Sequence, residues 1–501
     1  MGGRRKARIA IIGAGVSGIC LAVKLKLSGN DDFVVFDRGG TVGGVWRENV
    51  YPGVSCDVPS RIYSFSFAPN PDWDAYFARG DEIRSYLDRV VERYGIGPHL
   101  RLGEEVVEAR FVAGEWRVLT ARGVESRWDF LIAATGLLVQ PALPELEGRN
   151  AYRGVAMHSA QWESGVDVRG KRVAIIGTGA TGTQMTCALA EETEHLYLFQ
   201  RTAQWVFPKP ARRYSVTTKG LHRLVPGFSR LADRFWRVAF QGTISAAAVS
   251  AGWQRRLIGG ICRLSLRQVR SKELRRLLTP VDDPMCKRLV AASGFYRAVQ
   301  QQNVTVVGEE IERITERGIL TRDGREREVD VMVFATGFRA DTFMRSVNVV
   351  GRAGRTIEDV WSDGPRAYRT VALPGFPNFF MMVGPNSPFS SESVMRIAET
   401  QSDYVLRWIE LFESGAVAEM SPTQEAADRF NELLRSAMPG TVFSSGCASW
   451  YHDSRGSLMV WPWTVRSHHR MLSRIQLSHF DIRQREEAGR SGPGSESGAC
   501  P

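Results

Sequence analysis

Two stretches of this chain repeat one arrangement of apolar and polar positions. In the first, Ile9 to Ile12 are all apolar, a turn punctuated by Gly13, Gly15 and Gly18 follows, and after a long apolar stretch Phe33 to Phe36 are closed by Asp37. In the second, Val173 to Ile176 lead into Gly177, Gly179 and Gly182, and Leu196 to Phe199 are followed by Gln200 and Arg201. Short unbroken apolar runs bounded by turn residues read as buried strands, so each stretch is predicted to be a strand–helix–strand unit. Two shorter runs, Asp129 to Gly136 and Asp330 to Gly337, both end in alanine, threonine and glycine. Each is expected to close one sheet where the chain leaves for the other domain.

The duplication predicts an α/β fold with two Rossmann-like dinucleotide-binding domains, the second inserted in the first. The first domain is placed at 1–145 and the inserted one at 146–340. Residues 341–483 return to the first domain, and a Gly/Ser/Glu-rich tail at 484–501 is expected to be disordered. Residues 208–280 carry much Arg, Leu and Ala with few strand signals, which predicts a helical subdomain. Its apolar stretch Phe240 to Trp253 is short and interrupted by polar residues, and reads as a core helix.

Composition changes this picture little. The chain has 501 residues, 43% hydrophobic and 24% charged, as expected of a globular protein of two or three domains. Its net charge is +11, yet only 8 of its 65 basic residues are lysine and no basic run forms an arm or patch, so nucleic acid is not an expected partner. No apolar run is long enough to cross a membrane, and a cytoplasmic location is expected. The seven cysteines are dispersed without a C-x-x-C pair, which argues against a zinc site or a redox dithiol and fits reduced thiols.

One G-x-G-x-x-G is weak evidence; two, each between a strand and a helix, are strong. The first glycine permits the tight turn, the second lets backbone approach a pyrophosphate, and the third packs helix on sheet. The anion is then held by free N–H groups at the positive end of a helix. Asp37 follows Gly13 by 24 positions and Arg201 follows Gly177 by 24, which is expected to put both beside an adenosine ribose. A carboxylate there accepts from ribose hydroxyls and repels a 2′-phosphate; a guanidinium pairs with that phosphate. The first site is therefore expected to hold FAD, and the second NADPH, with Thr178, Thr181 and Thr202 close to it.

Beyond these cradles the chain resembles the type I Baeyer–Villiger monooxygenases, within the class B flavin monooxygenases, from about residue 7 to 475. The most diagnostic piece is Tyr152-x-Gly154-x-x-x-His158-x-x-x-Trp162, with Tyr152 in place of Phe and Glu163 in place of Pro or Asp. The resemblance implies that this linker couples domain movement to catalysis. It also implies that Gly44, Val45, Trp46, Asp57 and Tyr63 face the flavin, and that Gly384 to Ser387 pass beneath it. Arg288 would be the catalytic arginine and Asp57 its orienting partner, with Lys287 a second contact to the 2′-phosphate. The implied reaction uses NADPH and O2 to convert a small carbonyl substrate into an ester or lactone, through a peroxide at flavin C4a stabilised by Arg288.

Three other readings stand beside it. Oxygenation at nitrogen or sulfur uses the same chemistry, but such enzymes usually lack Trp162 and the Lys287–Arg288 segment. A disulfide reductase needs a cysteine pair of the kind missing here, and a flavin reductase would yield only hydrogen peroxide. A non-catalytic nucleotide binder would be colourless. The substrate and the oligomeric state are not specified by these residues.

Overall fold

The computed structural model of the chain describes residues 5–163, 165–344, 346–447, 449–453 and 455–484. It contains two five-stranded parallel sheets. In the first, the strands run Phe379–Met381, Phe130–Ala133, Ile9–Ile12, Phe33–Asp37 and Leu100–Leu102. In the second, they run Val304–Val307, His195–Phe199, Arg172–Ile176, Val331–Phe334 and Val155–His158. The second sheet draws every strand from residues 155–334, while the first is completed by Phe379–Met381 after the chain returns. The predicted α/β class is the observed one.

Each parallel sheet is buried on both sides, as its unbroken apolar strands require. Ile9, Ala10 and Ile11 are fully enclosed, as are Val173, Ala174 and Ile175. Helix Val16–Leu27 covers one face of the first sheet and packs on the long returning helix Val394–Glu413, which buries Met395, Val405, Trp408 and Phe412. Each large side chain so buried contributes about 2 kcal/mol by transfer from water. The return of the chain is thus fixed by an amphipathic face with nowhere else to pack.

The alanine–threonine–glycine echoes find their reason here. Ala134 N donates to Ile12 O at 2.8 Å and Ala335 N to Ile176 O at 2.9 Å. A Cβ on Gly13 would lie 2.4 Å from Ala134 O, and one on Gly177 would lie 2.5 Å from Ala335 O. Each echo strand therefore presses backbone against the first glycine of its neighbouring turn.

Helices fill most of the inserted stretch: Val216–Leu224, Pro226–Phe240, Trp253–Leu266 and Lys272–Leu277. The stretch Phe240 to Trp253 differs from the single core helix expected. Pro226–Phe240 runs through a π-helical turn, Gln241–Ser245, into Ala246–Val249; the chain then breaks, and Trp253, which is 60% exposed, opens the next helix. Ala247 and Ala248 alone give that stretch a fully buried apolar core. The cysteine reading is also corrected, because Cys286 and Cys447 form a disulfide with their Cα atoms 6.1 Å apart. The partners are 161 positions apart in sequence, so their spacing carried no sign of it. Cys20, Cys56, Cys187 and Cys262 are free. The tail at 485–501 lies outside the described residues, and among the described residues no helix is long and apolar enough to cross a membrane.

Candidate functional site

The glycine turns have two kinds of glycine, and the difference marks where a ligand fits. A Cβ on Gly18 would meet Gly13 O at 1.9 Å, and one on Gly182 would meet Gly177 O at 1.9 Å, so both are demanded by the protein's own packing. On Gly179 a Cβ would have no atom within 4 Å, and on Gly15 it would only touch Gly44 Cα at 3.5 Å. These two glycines leave open the space in front of each helix. Gly15 and Gly179 are also the N-caps, neither first turn has a side-chain cap, and neither contains an acidic residue. Uncapped N–H groups at a helix start, with no carboxylate to repel an anion, suit a pyrophosphate.

Around the first turn the predicted residues converge. Gly43 N donates to Ala14 O at 3.0 Å, which lays the loop of Gly44, Val45 and Trp46 against the turn. Trp46 Nε1 donates to Tyr63 Oη at 3.0 Å, and the two rings meet edge to face. Asp37, only 8% exposed, accepts from Ala14 N at 2.7 Å, Gly39 N at 2.8 Å and Arg47 Nη1 at 2.8 Å. A carboxylate has about four acceptor sites, so one stays open to a further donor.

Equal counting along the chain does not give equal position in the second turn. Ile12 pairs with Phe36, whereas Ile176 pairs with Phe199, so the residue opposite Asp37 is Gln200 and not Arg201. Gln200 is buried and donates to Leu277 O at 2.8 Å. Arg201 stands one residue further out, exposed beside the exposed Thr202. Thr178 Oγ1 donates to Thr202 O at 2.9 Å, and Lys287 Nζ donates to Thr202 Oγ1 at 3.4 Å while paired with Asp282 at 2.6 Å. Arg201, Thr202 and Lys287 thus form a basic rim at the mouth of the second turn.

Between the two domains, Arg288 Nε and Nη2 donate to Asp57 Oδ2 and Oδ1, both at 2.9 Å. This two-point pairing is the strong form of an ion pair. Burial pushes the Asp57 carboxyl up, but the charge and hydrogen bonds of Arg288, with Lys209 behind them, hold it below the usual carboxylate range. The Arg288 pKa is raised, chiefly by Asp57. The Arg288 side chain remains 33% exposed, and with Lys287 it lines one small cavity that also includes Gln204 and Trp205. Its Nη1 reaches Phe389 O at 3.5 Å, just past the returning segment Gly384 to Ser387. The disulfide from Cys286 to Cys447 ties the arginine's loop to the C-terminal segment whose Trp450 stacks on Phe389.

The linker motif is a joint between domains. His158 is buried and its Nδ1 accepts from Ala160 N at 3.1 Å, which leaves Nε2 to donate to Gly337 O at 3.0 Å. Burial lowers its pKa, against the raising effect of that carbonyl. Gly337 O also accepts from Ala142 N at 2.9 Å, and Arg339 N donates to Gln140 O at 2.9 Å. The outgoing and returning crossings therefore run side by side, with His158 bonded to both through one carbonyl. Gly154 is required because a Cβ would meet Tyr152 Oη at 2.3 Å and Asp330 O at 2.8 Å. Trp162 packs on the core of the inserted domain.

Comparison with known proteins gives the family. Residues 6–217 match the family described as flavin-binding monooxygenase-like. A Baeyer–Villiger monooxygenase of Streptomyces coelicolor is 35% identical over 484 residues, covering 95% of this chain and 92% of that protein. The chain belongs to the Baeyer–Villiger monooxygenase family. An uncharacterised monooxygenase of Mycobacterium bovis is 46% identical, covering 95% of this chain and 96% of its own length. The closed crystal structure of cyclohexanone monooxygenase superposes with a TM-score of 0.86 at 28% identity, covering 96% of this chain and 99% of that one. An oxidized steroid monooxygenase bound to NADP gives 0.85 at 27% identity, covering 96% and 100%.

Within this Baeyer–Villiger monooxygenase, one departure from the family motif has a visible reason. The extra hydroxyl of Tyr152 donates to Val329 O at 2.9 Å, which ties the linker to the chain entering strand Val331–Phe334. Three contributors escaped sequence reasoning. Gln184 accepts from Tyr51 Oη at 3.0 Å and donates to Ser55 O at 3.1 Å, joining the second turn's helix to the loop of Asp57. The predicted Thr181 reaches the same tyrosine hydroxyl at 3.4 Å. Arg47 braces Asp37, and Lys209 crosses the seam near Asp57. A polar residue one turn past a glycine fingerprint is a usable signal for Gln184; for Arg47, in so Arg-rich a chain, no signal existed.

Proposed function

We propose that this monooxygenase binds FAD at the first turn and NADPH at the second, and inserts one atom of O2 beside the carbonyl of a small ketone to give an ester or lactone. The observation that carries the reading is the Arg288 guanidinium, held at two points by Asp57 in the seam between the turns. FAD supplies the oxygen-activating redox chemistry when bound, and NADPH supplies the hydride. The chain supplies placement and charge.

Arg288 offers a fixed positive charge where negative charge gathers on oxygen during insertion. It cannot release its proton, so it acts by electrostatics and not as an acid. A preorganised donor in a site shielded from water needs no rearrangement as the charge develops, and loss of one such group raises the barrier by about 3 kcal/mol. Asp57 keeps the guanidinium aimed. Arg201, Thr202 and Lys287 hold the 2′-phosphate, Asp37 takes a ribose hydroxyl at its open acceptor site, and the Gly154–His158–Trp162 linker reports the state of the inserted domain to the first.

The test is Arg288→Ala in the flavin-loaded enzyme. NADPH should still reduce the flavin, while product from a cyclic ketone falls by about 150-fold and hydrogen peroxide replaces it. Undiminished ketone oxidation by the variant removes Arg288 from the role. A wild-type enzyme that oxygenates a thioether but no ketone turns the reading toward heteroatom oxygenation.

A further inference from the structure

We propose that Lys209 is a positioning residue for the Asp57–Arg288 pair, a second charged point, after Arg288, at which the inserted domain grips the loop that carries Asp57. The inference rests on the role given to that pair under the proposed function. Arg288 and Lys209 belong to one small ribbon. Strand Val206–Pro208 pairs in parallel with Val290–Ala292, Val206 opposite Val290 and Pro208 opposite Ala292. Arg288 lies two residues before one strand and Lys209 one residue after the other, where its backbone N donates to Ala292 O at 3.2 Å. From these two ends both side chains cross to the same three residues of the first domain. Arg288 takes the Asp57 carboxylate, while Lys209 Nζ donates to Ser55 Oγ at 2.8 Å and to Cys56 O at 3.4 Å.

A lysine held this way is costly unless its charge has work to do. Burial lowers its pKa, and the opposing influences are Cys56, Asp57 and Cys187. Among the described residues no carboxylate lies within ion-pair distance of it; the ring of Phe77 lies 5.4 Å from its ammonium. The ammonium therefore sees Asp57 across one residue of backbone, and its bonds fix the two residues directly before that carboxylate. Gln184 also holds Ser55, but by uncharged contacts. With Lys209 gone, Asp57 would keep its partner and lose the fixed base from which it aims it. Misplacement on the scale of 1 Å can reduce a reaction by about a hundredfold, so a partial loosening is enough to matter.

The experiment compares Lys209→Met, Lys209→Arg and Ser55→Ala in the full-length, flavin-loaded enzyme. Three quantities are read: anaerobic flavin reduction by NADPH, ketone product per NADPH consumed, and hydrogen exchange of the segment spanning residues 51–58. For Lys209→Met, flavin reduction and KM for NADPH should stay within about twofold, product per NADPH should fall about tenfold with hydrogen peroxide making up the balance, and exchange at 55–57 should quicken about tenfold. Lys209→Arg should recover most of the coupling, and Ser55→Ala should show the same changes at about a third of the size. Unchanged coupling or unchanged exchange in Lys209→Met overturns the proposal. So does a parallel fall in flavin reduction, which would make Lys209 a general support of the fold. If the wild type makes only hydrogen peroxide with every ketone offered, the proposed function fails; the exchange measurement still decides Lys209.

Discussion

The two glycine turns share a backbone and part company at the end of the second strand. In both, the first glycine has positive φ and lies against a carbonyl of the echo strand, and the third is closed by the first one's oxygen. In the first, a buried Asp37 bonds back into the turn itself through Ala14 N. In the second, the matching position is the buried Gln200, which bonds away to Leu277, and the cation sits outside at Arg201. The glycines thus build the same turn twice, while the side chains at the strand end differ: a buried carboxylate nearly saturated by its own loop in one, a buried amide with an exposed cation beyond it in the other. The proposed difference in nucleotide would rest on that contrast.

The sharpest way to break this comparison is to spoil the same glycine in each turn. Gly18→Ala should leave the purified protein with less than about a tenth of its flavin, since the added methyl has only backbone to push against. Gly182→Ala should keep the flavin and lose NADPH-driven reduction. Absorbance of the purified variants decides it, and equal flavin loss in both would show the turns are not independent. Next, Arg201→Ala should raise KM for NADPH about thirtyfold and leave NADH within about twofold, the loss of one charge-assisted contact. Equal effects on both nucleotides would remove Arg201 from the 2′-phosphate. Gly179→Ala, with nothing near its Cβ, should leave the melting temperature unchanged and raise KM for NADPH and NADH alike by about fivefold, because the pyrophosphate is common to both. A lowered melting temperature would place that glycine in the fold instead.

A last test uses acid on the first domain. His468 in the first domain is buried beside Thr370, and burial depresses its pKa to about 3. An unfolded histidine binds its proton near pH 6.5, so the stability its neutral form provides is present above that value. It is lost as pH falls from about 6.5 toward about 3. Flavin release on heating should come earlier across this window, and His468→Gln should flatten the trend. An unchanged slope in that variant would locate the acid sensitivity elsewhere.

Much of the fold was legible because its strands are unbroken apolar runs and its turns need glycine for steric reasons that any sequence displays. The duplication was visible in Ile9–Gly18 against Val173–Gly182, and even the echo strands could be picked out before their contact with Gly13 and Gly177 was known. What counting along the chain could not supply was register. Asp37 and Arg201 are equally spaced from their glycines, yet one residue less between the paired strands puts Gln200 opposite Asp37. The Arg288–Asp57 pair was reached only through family likeness, since nothing local distinguishes one arginine among so many. Lys209 and the Cys286–Cys447 bond were invisible for a related reason: each depends on loops from different domains meeting, which no periodicity encodes. One hint did exist, for a lysine between two prolines is conspicuous in a chain with only 8 lysines.

The paired crossings at 140–142 and 336–339 have a practical corollary. Because the inserted domain departs and rejoins through one hydrogen-bonded doorway, with Pro141 bridged to Phe338, its two ends never lie far apart. A relative's domain spliced between Ala142 and Gly337 would meet the same doorway, so nucleotide preference could be exchanged as a cassette. The seam contacts at Ser55 and Asp57 would then be the places where a mismatched graft first declares itself.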